Sequence, residues 1–163
     1  MSPIHTPDRR RLLQALSLAG LATPALHAHA APPVNTLKNS LFGGRTDTAI
    51  NGYDAVAYFT EGKPVKGQDA FTFTWMDAKW KFASQANLDR FKADPARYAP
   101  QYGGYCAFGV AKGDLVKVEP EQFTVRNGKL YLNYDADIQQ QWRQDPERFI
   151  RDADAKFNEL LKR

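Results

Sequence analysis

The stretch "YGGYCAFGVA" (102–111) contains the only cysteine of the chain, Cys106. Three roles are open to that thiol: a contact for a metal or small ligand, a nucleophile, or a small apolar core residue. The first two need the thiolate, which a neighbouring cation or a helix N-terminus favours. No Lys or Arg adjoins Cys106, and Lys112 is the nearest in sequence. Free cysteine is among the most buried residue types. A strand over 105–111 would put Cys106 on one face with Phe108 and Val110, which favours the core role. Burial without a cation raises a thiol pKa. An aspartate there is expected to cost more than an alanine, because it would bury a carboxylate.

The other residues able to join a site are Asp54, Tyr53 and Tyr105, in "NGYDAVAYF" and beside the cysteine. Asp54 follows Gly-Tyr near the start of an apolar run, where Asp commonly accepts backbone N–H groups in a turn or cap. Tyr53 and Tyr105 read first as packed aromatics.

The front of the chain limits the donor inventory. Residues 1–30 have Arg9, Arg10 and Arg11, then a weakly apolar run from Leu12 to Leu26, then Ala28-His29-Ala30. That is the layout of a cleaved export signal. Paired arginines followed by one residue and Leu12-Leu13 resemble a twin-arginine signal, the alternative being an ordinary secretory signal, which also needs positive charge. The run is interrupted by Gln14, Ser17, Gly20, Thr23 and Pro24, and is too short to span a bilayer. Cleavage after Ala30 takes all three histidines, His5, His27 and His29, and leaves 133 of the 163 residues with all 20 aromatics. It also removes three arginines and one acid, so the net charge falls from +4 to +2. The product is expected in the periplasm, with no transmembrane segment. Its basic and acidic residues are interspersed with no cationic stripe, which argues against a nucleic-acid partner.

With no histidine left, a Cys/His zinc site within one chain is excluded, since such a site takes four donors. Copper(I) prefers thiolate and thioether, and only Cys106 and Met76 qualify. Met76 falls at an expected hairpin tip. Copper is therefore expected only in a site shared between two copies, each giving Cys106, with help from Asp54. Activated Ser or Cys nucleophiles of the histidine-dependent kind are excluded too. No phosphate-cradling glycine loop or haem attachment motif is present. Enzymatic activity has no motif to stand on.

The elements that must position these residues read as α+β: antiparallel hairpins packed against helices. Residues 31–50 form a polar lead-in marked by Pro and Gly, and 51–163 form the domain. Residues 53–59 read as a short strand and 61–67 as a turn-rich loop. "FTFTWMDAKWKFAS" predicts a hairpin turning at Asp77-Ala78, with Trp75 opposite Trp80 and Phe73 opposite Phe82. Ser84 should cap a helix over 85–93. "FTVRNGKLYL" predicts a hairpin turning at Asn127-Gly128, because a type I′ turn needs positive φ twice. It places Phe123, Val125, Leu130 and Leu132 on one face. Asp135 or Asp137 should cap the next helix, through Trp142. A last helix should start at Pro146, with Phe149, Ile150, Ala153, Phe157, Leu160 and Leu161 as its stripe. "FKADPARY" and "WRQDPERF" share an Asp-Pro pattern 51 residues apart, which suggests a ββα pseudo-repeat as readily as coincidence.

"NGYDAVAYF", "WKFASQANLDRFKADPARYAPQYGGYCAFGVA" and "GKLYLNYD" together resemble the exported, stand-alone members of the YHS domain family, over most of 50–155. The resemblance implies a small α+β domain in a wider group of cysteine-bearing modules, some attached to heavy-metal transporters. Ala55 stands where that pattern has proline, and the spaced cysteines of metal-holding relatives are missing. The function expected is a non-enzymatic binding or accessory protein, contacting a metal ion or small ligand near Cys106. The alternative is an interaction module that docks on a protein partner through exposed aromatics. A thiol-dependent redox enzyme comes third.

Overall fold

The computed structural model describes residues 30–38 and 43–163. The rest of the expected export signal, residues 1–29, lies outside the described residues. Among the described residues ten α-helices and β-strands follow in order: α1 (Ala57–Thr60), β1 (Gln68–Trp75), β2 (Ala78–Phe82), α2 (Gln85–Ala93), α3 (Pro95–Tyr98), α4 (Ala107–Lys112), β3 (Glu119–Arg126), β4 (Lys129–Asn133), α5 (Ala136–Gln144) and α6 (Pro146–Leu160). The fold is α+β, with two separate two-stranded antiparallel sheets, β1-β2 and β3-β4.

Both hairpins turn through two residues of positive φ. In the second these are Asn127 (51°) and Gly128 (71°), and Phe123 pairs with Leu132 and Val125 with Leu130, as the alternation predicts. The first hairpin turns one residue earlier than expected, at Met76 (49°) and Asp77 (59°). Its register is therefore Trp75 with Ala78 and Phe73 with Trp80. Alanine has no side-chain group to ease a left-handed backbone, whereas Asp tolerates one. Shifting the turn also keeps Ala78, Trp80 and Phe82 on the buried face of β2. Each hairpin's first strand carries an irregularity, between Gln68 and Thr72 and between Glu119 and Phe123.

Short polar side chains start the helices. Ser84 accepts from Asn87 N, Asp94 from Arg97 N, Asp135 from Ile138 N and Asp145 from Arg148 N. Pro95 and Pro146 occupy the first turns of α3 and α6, where a missing N–H costs nothing. Residues 53–59 are not a strand. Asp54 captures the N–H groups of Val56 and Ala57 and turns the chain into α1, the competition with extended pairing that Asp side chains offer.

The core has two apolar clusters. One gathers Trp80, Phe82 and Phe91 with Leu130 and Leu132. The other gathers Tyr105, Tyr131, Trp142 and Phe149. Phe91 packs 4.9 Å from Trp80 and 5.0 Å from Phe82, ring centre to ring centre. Cys106 belongs to the first cluster while its neighbours Tyr105 and Ala107 belong to the second. The lead-in segment joins the core as well: Val34 is buried, and Asn35 Nδ2 donates to Gly104 O at 2.9 Å. Gly103 is needed there, since a Cβ would lie 1.8 Å from the carbonyl oxygen of Pro33.

Candidate functional site

Cys106 is not in a strand. It is the residue before α4, and its Sγ accepts from Gly109 N at 3.4 Å. The chain reaches it through left-handed backbone at Tyr102, Gly103 and Gly104, which two glycines make accessible. Helical spacing aims Cys106 at Gly109 and Val110 rather than pairing it with Phe108. The expected burial holds, at 1% exposure. Asn133, the last residue of β4, is 0% exposed and points Nδ2 at Sγ from 3.9 Å. Burial pushes the thiol above its ordinary value, against the opposing pull of the Gly109, Tyr134 and Phe108 backbone groups and the Asn133 amide.

Outside the thiol lies a cavity of about 300 Å³ lined by Cys106, Phe108, Gly109, Val116, Tyr134, Asp135 and Ile138. Its walls are apolar except at Asp135, whose carboxylate caps α5 through Ile138 N at 2.8 Å. The site combines the turn before α4, the segment after it, and the junction of β4 with α5.

The other candidate residues are engaged elsewhere. Asp54 is 0% exposed. One carboxylate oxygen accepts from Val56 N (2.8 Å) and Ala57 N (3.2 Å), the other from Ala83 N (2.8 Å) and Asn87 Nδ2 (2.7 Å). Tyr53 donates its hydroxyl to Glu121 at 2.9 Å, and burial, then Glu121, pushes its pKa up. Tyr105 is buried and donates to Pro32 O at 3.1 Å. Of the four, only Cys106 lines the cavity. Sequence reasoning missed Asn133, Val116, Asp135 and Ile138 as its neighbours. A polar residue closing the apolar run "LYL" is the one signal that marked Asn133.

Among the described residues, no three His, Cys, Asp or Glu side chains lie close enough together to hold a metal ion. The residues of one chain around Cys106 do not fit a closed metal site. A thiolate bridging two copies would have to leave the core, where Cys106 is buried. Among the described residues no helix is long and apolar enough to cross a membrane.

Two two-stranded antiparallel hairpins together with short helices define a small α+β domain class. Residues 56–102 match the family model of the YHS domain, so the chain is a YHS domain-containing protein. The matched stretch runs from α1 to the glycine turn and ends four residues before Cys106. No curated protein and no solved structure matches the chain.

Proposed function

We propose that this protein is a periplasmic, non-enzymatic binding or accessory protein whose small ligand sits in the cavity over Cys106 and touches its thiol. One observation carries the reading: the only thiol of the chain lies at an open cavity with largely apolar walls. Pockets of a few hundred Å³ with a few placed polar groups are the usual form of a small-molecule site. Phe108, Val116 and Ile138 supply contact area, and Asp135 supplies a fixed charge at the edge. A metal would bind here only with donors brought by its own ligand or by a partner. The location follows from the sequence of residues 1–30 alone. The interaction-module alternative has less support. Tyr134 is the one exposed aromatic among the described residues, and Lys117 covers its ring at 4.8 Å.

The test is equilibrium binding of an anilinonaphthalene sulfonate dye and of copper(I) to wild type, Ile138→Trp and Cys106→Ala. Filling the cavity with Trp should cut dye binding at least tenfold, and removing the thiol should abolish any copper binding. Equal dye binding by wild type and Ile138→Trp contradicts the site.

A further inference from the structure

Two residues that precede short helices of this chain are held alike. Asp54 precedes α1 and Cys106 precedes α4. Each follows Gly-Tyr and a run of positive φ, at Ile50, Asn51 and Gly52 or at Tyr102, Gly103 and Gly104. Each is followed by alanine, and each is buried. Around Asp54 four N–H donors converge on a carboxylate. Around Cys106 the Gly109 amide and Asn133 Nδ2 converge on Sγ. A thiol is a weak acceptor, so this donor set is underused. Asn133 carries an independent sign. Its side chain is aimed at Sγ and wholly buried, yet Oδ1 has no partner. Buried amides are seldom left so.

We propose that Cys106 is an oxidation site at which a peroxide, entering through the cavity, converts the thiol to a sulfinate that the surrounding donors hold in place. The thiolate attacks one peroxide oxygen; the S–O bond forms, the O–O bond breaks, and the leaving hydroxide takes a proton to become water. The product is a sulfenic acid. Its O–H is a donor, which Asn133 Oδ1 lacks. No second cysteine exists in the chain to trap it as an internal disulfide. A second peroxide reacts in the same way, giving sulfinic acid and a second water; the acid then releases its proton. Each step oxidises sulfur by two electrons and reduces one peroxide. The sulfinate presents two oxygens and one negative charge, as the Asp54 carboxylate does. This proposal does not depend on the ligand assigned to the cavity.

The donor set also reverses the expectation that aspartate is the worst replacement at 106. The experiment treats reduced full-length mature protein with hydrogen peroxide, maps oxygen by peptide mass, and records thermal melts of wild type, Cys106→Ala and Cys106→Asp. Met76, 46% exposed, serves as the internal control for oxidant access. Two oxygens should appear on the Cys106 peptide, and the oxidised protein should melt no lower than the reduced one. Cys106→Asp should melt about 4 °C above Cys106→Ala, the shift of roughly one stabilising contact in a domain this size. Oxidation of Met76 without Cys106 overturns the proposal. So does an oxidised protein that melts below the reduced one, or an aspartate variant that unfolds or melts below alanine.

Discussion

Replacing Asp54 with alanine should be among the most damaging single changes in this protein. The carboxylate is fully buried and accepts from Val56 N, Ala57 N, Ala83 N and Asn87 Nδ2. Alanine leaves four donors without a partner. A buried polar group deprived of its partner costs about 1–3 kcal/mol. Water entering the space left by the carboxylate would recover part of this, so the net loss should be about 4–6 kcal/mol. That is a large share of the roughly 5–15 kcal/mol by which a domain is usually stable. Asp54→Asn keeps one acceptor oxygen but turns an NH₂ towards donors, and should cost about 2–4 kcal/mol. Urea unfolding followed by tryptophan fluorescence measures both. A loss under about 1 kcal/mol for Asp54→Ala, outside the range for even one orphaned donor, would refute the reasoning and return Asp54 to the list of ligand candidates.

Three further outcomes are expected. Asn127→Pro should destabilise by about 3 kcal/mol or more while Asn127→Gly stays within about 0.5, because proline cannot adopt a φ of 51°; equal urea midpoints would remove the turn assignment. Thiol labelling of the native protein should be slow at neutral pH and rise about tenfold per pH unit towards and beyond pH 9, since burial raises the Cys106 pKa and only the thiolate reacts; the same shift stabilises the fold fully below the ordinary thiol value of 9.0 and is lost as pH climbs through the raised one. A flat, fast labelling profile would mean an exposed, activated thiol. If the protein is exported as proposed, N-terminal sequencing of the form isolated from its native cells should give Ala31, whose N lies 2.9 Å from Leu161 O at the end of α6, so that processing would leave a cation on a helix C-terminus; a start beyond residue 36 would contradict it.

Local rules carried most of the fold. Ser84, Asp135 and the start at Pro146 were legible because capping depends on residues within one turn. Asn127-Gly128 was legible because few dipeptides accept positive φ twice. The earlier turn at Met76-Asp77 was not, since the choice is settled by burial of Ala78, Trp80 and Phe82 against Phe91, contacts the hairpin sequence does not contain. The stretches 53–59 and 105–111 read as strands because they are short, aromatic-rich and apolar, a pattern that short helices share. Their capping residues, Asp54 and Cys106, decide the matter; an aspartate cap is a familiar signal, and a cysteine cap is not. Burial of Cys106 was foreseen on the wrong geometry. Asn133 stands 27 residues away in sequence, and only the packing of β4 against the turn before α4 brings it to the thiol.

The central claim is that a ligand occupies the cavity over Cys106. Native mass spectrometry of the protein purified from its native cells tests it most directly, with Ile138→Trp prepared in parallel. The account predicts a bound mass on the wild-type monomer, in about one-to-one stoichiometry, that is absent from a folded Ile138→Trp. A wild-type protein that carries no added mass, or a bound mass that persists when the cavity is filled, would contradict it.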